Sequence, residues 1–181
     1  MIYLFLIISE ENILEFLLNI KNKVNKYKYI CIINSKHYKN ISYYREWKNY
    51  IYNNLLGNSH IISEIITDFE KNEKLGIIFP EKYYKSLAKF GDYINDLELK
   101  YLNLMLNKIN PKVNITQTFM DFPEGNMFWA KIRAIYPIFN LYSNLMLSGI
   151  PILILKNNLE KVWIYIVTFS GFLYKTIFKH L

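Results

Sequence analysis

The stretch Phe119 to Arg133, FMDFPEGNMFWAKIR, gathers groups able to do chemistry around a bend. Two apolar runs flank PEGN, where Gly125 can take a positive φ and Pro123 fixes its own, so the chain is expected to turn tightly and return as the strand MFWA. That hairpin presents Asp121 and Glu124 beside a rigid strand end, where a carboxylate of suitable pKa and reach acts as a general base. On spacing alone, an acidic hairpin without chemistry accounts for the same residues. A second polar group, Asn34, Ser35, Lys36 and His37, follows the almost continuous apolar run Tyr29 to Ile33. Such a run suits a strand covered on both faces, and ligands of α/β sheets gather at the carboxyl ends of such strands.

The elements that must position these groups alternate in type. Met1 to Ile8 reads as a strand, and Ser9 is placed to cap a following helix whose apolar face is Ile13, Phe16, Leu17, Ile20 and Val24. A helix is expected from about Ser42 to Leu56, stopping at Gly57, and another from Asn58 or Ser59 with a stripe of Ile61, Ile62, Ile65, Ile66 and Phe69. LGIIFP gives a short strand, Leu75 to Phe79, and a long helix is expected from Asp92 to Ile109, ended by Asn110 and Pro111. Alternation of strand and helix argues for an α/β fold, with residues 1–181 forming one domain without repeats or linkers.

Composition narrows the classes. The 181 residues are 52% hydrophobic and 20% charged, which excludes long disorder and a disulfide scaffold. One cysteine, Cys31, cannot form an internal bridge or a cysteine-based zinc site, and His37, His60 and His180 offer no metal-ligand spacing; a reducing compartment is expected. The net charge of +7 suggests a polyanion partner, but only Arg45 and Arg133 are arginines. Lysine, asparagine, isoleucine and tyrosine share A/T-rich codons, and a nucleic-acid surface favours arginine for bidentate contacts, so no nucleic-acid partner is expected.

No basic region precedes the apolar N-terminus, and no small-residue cleavage site precedes Glu10, Glu11 and Asn12, so no secretory signal is expected. The uncharged run Ala134 to Leu155 is interrupted by Pro137, Gly149 and Pro151, and reads as a short helix, a loop and a strand-like IPILIL. Val162 to Tyr174 reads as an apolar, aromatic terminal helix. It packs on the domain or lies on a membrane surface with Lys161, Lys175 and Lys179 near the headgroups. The location expected is cytoplasmic, with peripheral contact at the inner face of the cell membrane as a further possibility.

Three blocks in order, YNNLLGNSHIISEIITDFEKNEKLGIIFP, DFPEGNMFWAKIRAIYPIF and NNLEKVWIYIVTFSGFLYKTIFK, resemble the rhamnan synthesis protein F family from about Phe16 onward. GNMFWA is similar to that family's G-T-M-F-W-A/V-R signature, and LLGN with LGIIFP to its L-L-G-S and L-G-L-V-x-P. These are bacterial proteins of cell-surface polysaccharide assembly regarded as glycosyltransferases. The resemblance implies a partial GT-A-like nucleotide-sugar fold with a mostly parallel sheet flanked by helices. It departs at three polar clusters. Asn34 stands for a histidine in NSKHYK while Lys36 is kept; Ser9 to Asn12 replace a G-R-D-like turn; and NNLEKVW keeps Glu160 but has Lys161 for arginine and Asn157 near a histidine position. The front of the chain looks truncated relative to the first βα units of that family.

The resemblance implies transfer of a sugar, rhamnose by family analogy, from a deoxythymidine-diphosphate-rhamnose-like donor to a glycan or lipid-linked acceptor. Such transfer needs a base for the acceptor hydroxyl, a cradle for the diphosphate and exclusion of water. The base is ranked Asp121 first, Glu124 second and Glu160 third. No D-x-D pair occurs to hold a divalent metal, and whether a metal is needed stays open. Lys36, with His37 beside it, stands where metal ligands would be and is assigned to donor phosphate, a solvated loop lysine being the alternative. Gly125 and Asn126 belong to the substrate-binding set. Trp129 is assigned to stacking a sugar ring or to the core, and Lys131 and Arg133 to phosphate or to a helix-start surface pair. Trp47 and Trp163 are read as packing residues. Two further readings stay open: a catalytically inactive fragment or partner-binding module, and a membrane-surface protein.

Overall fold

The computed structural model describes residues 3–8, 13–35, 43–84, 94–116, 121–141 and 152–178. The expected cap at Ser9, the helix starts at Ser42 and Asp92, and both Lys36 and His37 lie outside them. Among the described residues five strands form one sheet: β1 (Tyr3–Ile8), β2 (Tyr29–Asn34), β3 (Leu75–Pro80), β4 (Phe128–Lys131) and β5 (Leu173–Ile177), in the order β1-β2-β4-β3-β5. The pairs β1 with β2 and β3 with β5 are parallel, whereas β4 runs antiparallel to both β2 and β3. The sheet is therefore mixed, which corrects the mostly parallel expectation. Alternation of strand and helix does not reveal that a strand arriving late in the chain inserts between two earlier ones in the opposite sense.

Period-two alternation sends successive side chains to two cores. Ile30, Ile32, Ile77, Phe79, Phe128 and Ala130 pack on one face against helices α1 (Ile13–Val24), α4 (Asp96–Leu106), α5 (Ile132–Ile135) and α6 (Ile152–Phe169). Tyr29, Cys31, Ile33, Leu75, Ile78 and Trp129 pack on the other against α2 (Tyr44–Leu56) and α3 (Ser59–Lys71). Every residue of β3 and β4 is buried, which is why these segments read as apolar runs rather than alternating ones. Each large aliphatic or aromatic side chain so buried contributes about 1.5–3 kcal/mol.

Local signals account for two helix starts. Asn58 caps α3, its side chain accepting from the Ile61 N–H at 3.0 Å. Asn95 and Glu98 form a reciprocal capping box from which α4 begins at Asp96. Gly57 ends α2 in the right-handed region and not in the left-handed one that glycine usually supplies. The strand-like IPILIL instead enters α6 from Ile152, and the expected terminal helix ends at Phe169. Gly171, at φ 80°, turns the chain into edge strand β5. Val162, Trp163, Ile166 and Val167 are buried, so the apolar face of this helix belongs to the core. Among the described residues no helix is long and apolar enough to cross a membrane.

Gly76 is the extra residue of an irregularity in the β3–β5 pairing. A Cβ there would lie 2.6 Å from Phe172 Cβ, 2.8 Å from Ala134 Cβ and 2.9 Å from Val167 Cγ1. Gly76→Ala is expected to destabilise the fold by about 1–3 kcal/mol, measured by urea unfolding, because the obstructing atoms are mostly short, stiff side-chain stems.

Candidate functional site at the carboxyl end of the sheet

Because β4 is antiparallel to its neighbours, the residues that lead into it stand at the carboxyl ends of β2 and β3. These residues form a single 3-10 turn, Glu124–Asn126, in which Gly125 (φ 66°) and Asn126 (φ 57°) are both left-handed. Glycine is required at the first position: a Cβ would stand 2.7 Å from Met127 Cε and 2.9 Å from Trp47 Cη2. Residues 121–123 have no strand structure, so among the described residues the expected hairpin is a loop entering a strand.

The turn is held from three elements. From the end of β2, Asn34 Nδ2 donates to the Gly125 carbonyl at 3.3 Å, while Tyr52 of α2 donates to the Asn34 carbonyl at 3.2 Å. The segment ending in Asn34 and the Gly125 bend thus meet. From α2, Trp47 Nε1 donates to Glu124 Oε2 at 2.8 Å, and the Tyr83 N–H approaches the same oxygen at 3.5 Å. From α6, Trp163 Nε1 donates to Asn126 Oδ1 at 2.8 Å in a buried contact. Neutral hydrogen bonds of this kind each contribute about 1 kcal/mol net, and more when the acceptor is a carboxylate.

Glu160, on α6, lies against the same turn, with the Gly125 N–H favouring its ionised form. Burial pushes its carboxyl up from 4.5 to about 7, and the neighbouring charge of Glu124 pushes the same way. The Gly125 N–H, Lys161 and Lys82 oppose the shift without cancelling it. Lys82, just past β3, is lowered by its own desolvation and by Lys161, against the pull of Glu124, Asp121 and Glu160. The Lys82 and Lys161 ammonium groups stand 4.8 and 5.8 Å from the centroid of the Phe122 ring, and Lys161 also binds Glu98 at 2.9 Å. Asp121 lies at the exposed rim, accepting from the Tyr174 hydroxyl at 3.2 Å. The result is a carboxyl pair, one member of which titrates near neutrality, bordered by two cations. Among the described residues no three His, Cys, Asp or Glu side chains are grouped to hold a metal ion.

The remaining candidates go elsewhere. Trp129 is 0% exposed and donates to the Leu55 carbonyl at 3.0 Å, so it is a core residue with no face open to a sugar. Lys131 and Arg133 lie at and beyond the opposite end of β4, where both donate to the Glu73 carbonyl. Residue spacing had assigned Trp47 and Trp163 to packing alone; their helical stripes are apolar, but only an indole carries an N–H that a turn can use. Lys82 was missed as well, although the rule that singled out the end of β2 applies equally to the end of β3.

A carboxyl whose folded pKa is raised opposes folding increasingly as pH climbs from its unfolded value through its folded one, and the full penalty is present only above the folded value. Glu160→Gln is therefore expected to leave stability near wild type at pH 5. It should raise stability at pH 8, by up to about 3 kcal/mol, with the gain developing as pH rises from the unfolded value toward 7. Urea unfolding of both proteins across this range checks it.

Comparison with curated proteins and with solved structures finds no match. The family model described as rhamnan synthesis protein F matches residues 7–172, a span that takes in the first two blocks of the resemblance, the third as far as Phe172, and both Glu124 and Glu160. The chain belongs to the rhamnan synthesis protein F family, whose work is rhamnan polysaccharide biosynthesis.

Proposed function

We propose that this chain is a glycosyltransferase domain that moves a sugar, rhamnose by family analogy, from a nucleotide-diphosphate donor to a glycan or lipid-linked acceptor. The observation that carries the reading is Glu160. A half-buried carboxyl on α6, packed against the turn at the carboxyl end of an α/β sheet and pushed up to about 7 by burial and by Glu124, is poised to exchange a proton at neutral pH. A GT-A-like arrangement is the finer form of the fold reading, supported by the helix-flanked sheet and by the location of the cluster at its ligand-binding end.

In this reading Glu160, rather than Asp121, is the first choice for the base. Asp121 is engaged by Tyr174 at the rim, and Glu124 is tied to Trp47, which suits it to fixing the field around Glu160. The acceptor O–H proton passes to the Glu160 carboxylate as the acceptor oxygen bonds to the anomeric carbon. The bond from that carbon to the diphosphate oxygen breaks, and the electron pair leaves with the nucleoside diphosphate. Lys82 and Lys161 supply positive charge to the departing group, a unit charge pair at about 4 Å being worth roughly 4 kcal/mol at intermediate dielectric before desolvation. Lys36, with His37 next in sequence, remains the proposed contact for donor phosphate. Asn126, whose side-chain oxygen is already used by Trp163, orients the turn.

The test is donor binding by calorimetry with several nucleotide sugars, followed by transfer to a rhamnan acceptor. Glu160→Gln is expected to lower kcat by about 100-fold or more while donor affinity stays within about threefold. Wild-type kcat should rise with pH through about 7, because only the ionised carboxyl accepts the proton, and this rise should vanish in the variant. Donor binding without turnover would assign the chain to the binding-module reading; turnover unchanged in Glu160→Gln would remove Glu160 from the chemistry.

A further inference from the structure

The opposite end of β4 carries a second polar feature that the reaction does not use. A cleft of about 610 Å³ opens there, lined by Tyr27 and Lys28 from the turn between α1 and β2, and by Lys131, Arg133 and Tyr136 from β4 and the α5 region. Its size falls within the range of small-molecule sites. Lys131 is 2% exposed, yet its ammonium donates to two backbone carbonyls, Asn72 at 2.8 Å and Glu73 at 3.0 Å. Carbonyl dipoles satisfy two of its three N–H groups without supplying a counter-charge. Arg133 stacks over Phe172 at 5.2 Å and spends Nη2 on the Glu73 carbonyl, and a guanidinium has further donors in the same plane. Lys28 holds Glu70 at 2.8 Å, a carboxylate that also takes the Tyr29 hydroxyl. Burial and the charges of Arg133 and Lys28 act together to depress the Lys131 pKa, while Glu70 and Glu73 only partly offset them. The cleft carries more positive than negative charge: a buried ammonium is aligned by carbonyls, with Arg133 on one side and Lys28, paired with Glu70, on the other.

We infer that this cleft binds a phosphate-bearing ligand, with the phosphate oxygens between Lys28, Lys131 and Arg133 and the attached group lying along Tyr27 and Tyr136. Two aromatic walls and a planar guanidinium fit a phosphate ester or diphosphate carrying an organic group better than a bare ion. The phosphate has two possible sources, a soluble diphosphate and a lipid headgroup. The site involves no residue of the Glu124–Glu160 cluster, so it does not rest on sugar transfer.

The experiment titrates the whole chain with inorganic pyrophosphate by calorimetry. It also measures co-sedimentation with vesicles of phosphatidylglycerol in phosphatidylcholine, against phosphatidylcholine alone. Arg133→Gln and Lys28→Ala, both at exposed positions, are each expected to weaken binding by about tenfold, and added salt should weaken it further. Circular dichroism verifies that the variants fold. Pyrophosphate binding weakened by both substitutions supports a soluble ligand. Binding confined to phosphatidylglycerol vesicles and weakened by both supports a lipid headgroup. No binding to either probe, or binding indifferent to both substitutions, overturns the proposal. So does binding that Lys161→Ala abolishes and Arg133→Gln does not, since the anion would then sit at the carboxyl end of the sheet.

Discussion

The arrangement at the carboxyl end depends on one left-handed turn being held in place by groups that arrive from far apart in the chain. Gly125 and Asn126 adopt a backbone conformation unfavourable to most residues, and the surrounding contacts offset that cost. Trp47 and Trp163 do so with indole N–H groups, and Asn34 with an amide. Because each donor sits on a different element, α2, α6 and β2 meet at a single point. The same contacts that set the turn therefore also set how two helices lie relative to the sheet end.

Glu160 shows what this convergence achieves. A carboxyl on a helix face packed toward the core would ordinarily be expelled or neutralised. Here the Gly125 N–H, Lys82 and Lys161 give it partial compensation, and Glu124 withholds the rest. Neither full ion pairing nor full isolation would leave it near neutrality; the intermediate balance does. Glu124 itself is useful because Trp47 fixes its position, so its influence on Glu160 is steady rather than averaged over rotamers.

Strands and helices were legible in the sequence wherever apolar spacing and end signals agreed, as in β2, β3, the Asn58 start of α3 and the bend at Gly125. The direction of β4 was not, because parallel and antiparallel strands buried on both faces have the same apolar pattern. IPILIL misled for a related reason: a short buried run of aliphatics fits a strand and a helix start alike, and only the continuing face through Val162, Ile166 and Val167 decides between them. In the site, Asp121 and Glu124 were visible beside the bend, while Glu160 was supplied by family likeness. Its importance comes from a meeting of α6 with the turn that residue spacing does not encode. Trp129 shows the converse, a chemically suggestive side chain whose strand position sends it into the interior.

The antiparallel strand also has a consequence for the order in which the molecule assembles. β2 and β3 never touch as a ladder; the four residues of β4, which come much later in the chain, fill the space between them. Until that short piece arrives, β2 and β3 have no common hydrogen-bonded edge, and β5, later still in the chain, has not yet joined β3. Closing so long a loop for so short a ladder delays the gain until late in the process. Newly made chains should consequently pass through a stage with two open strand edges facing each other, in which the central slot is the place most exposed to a foreign strand.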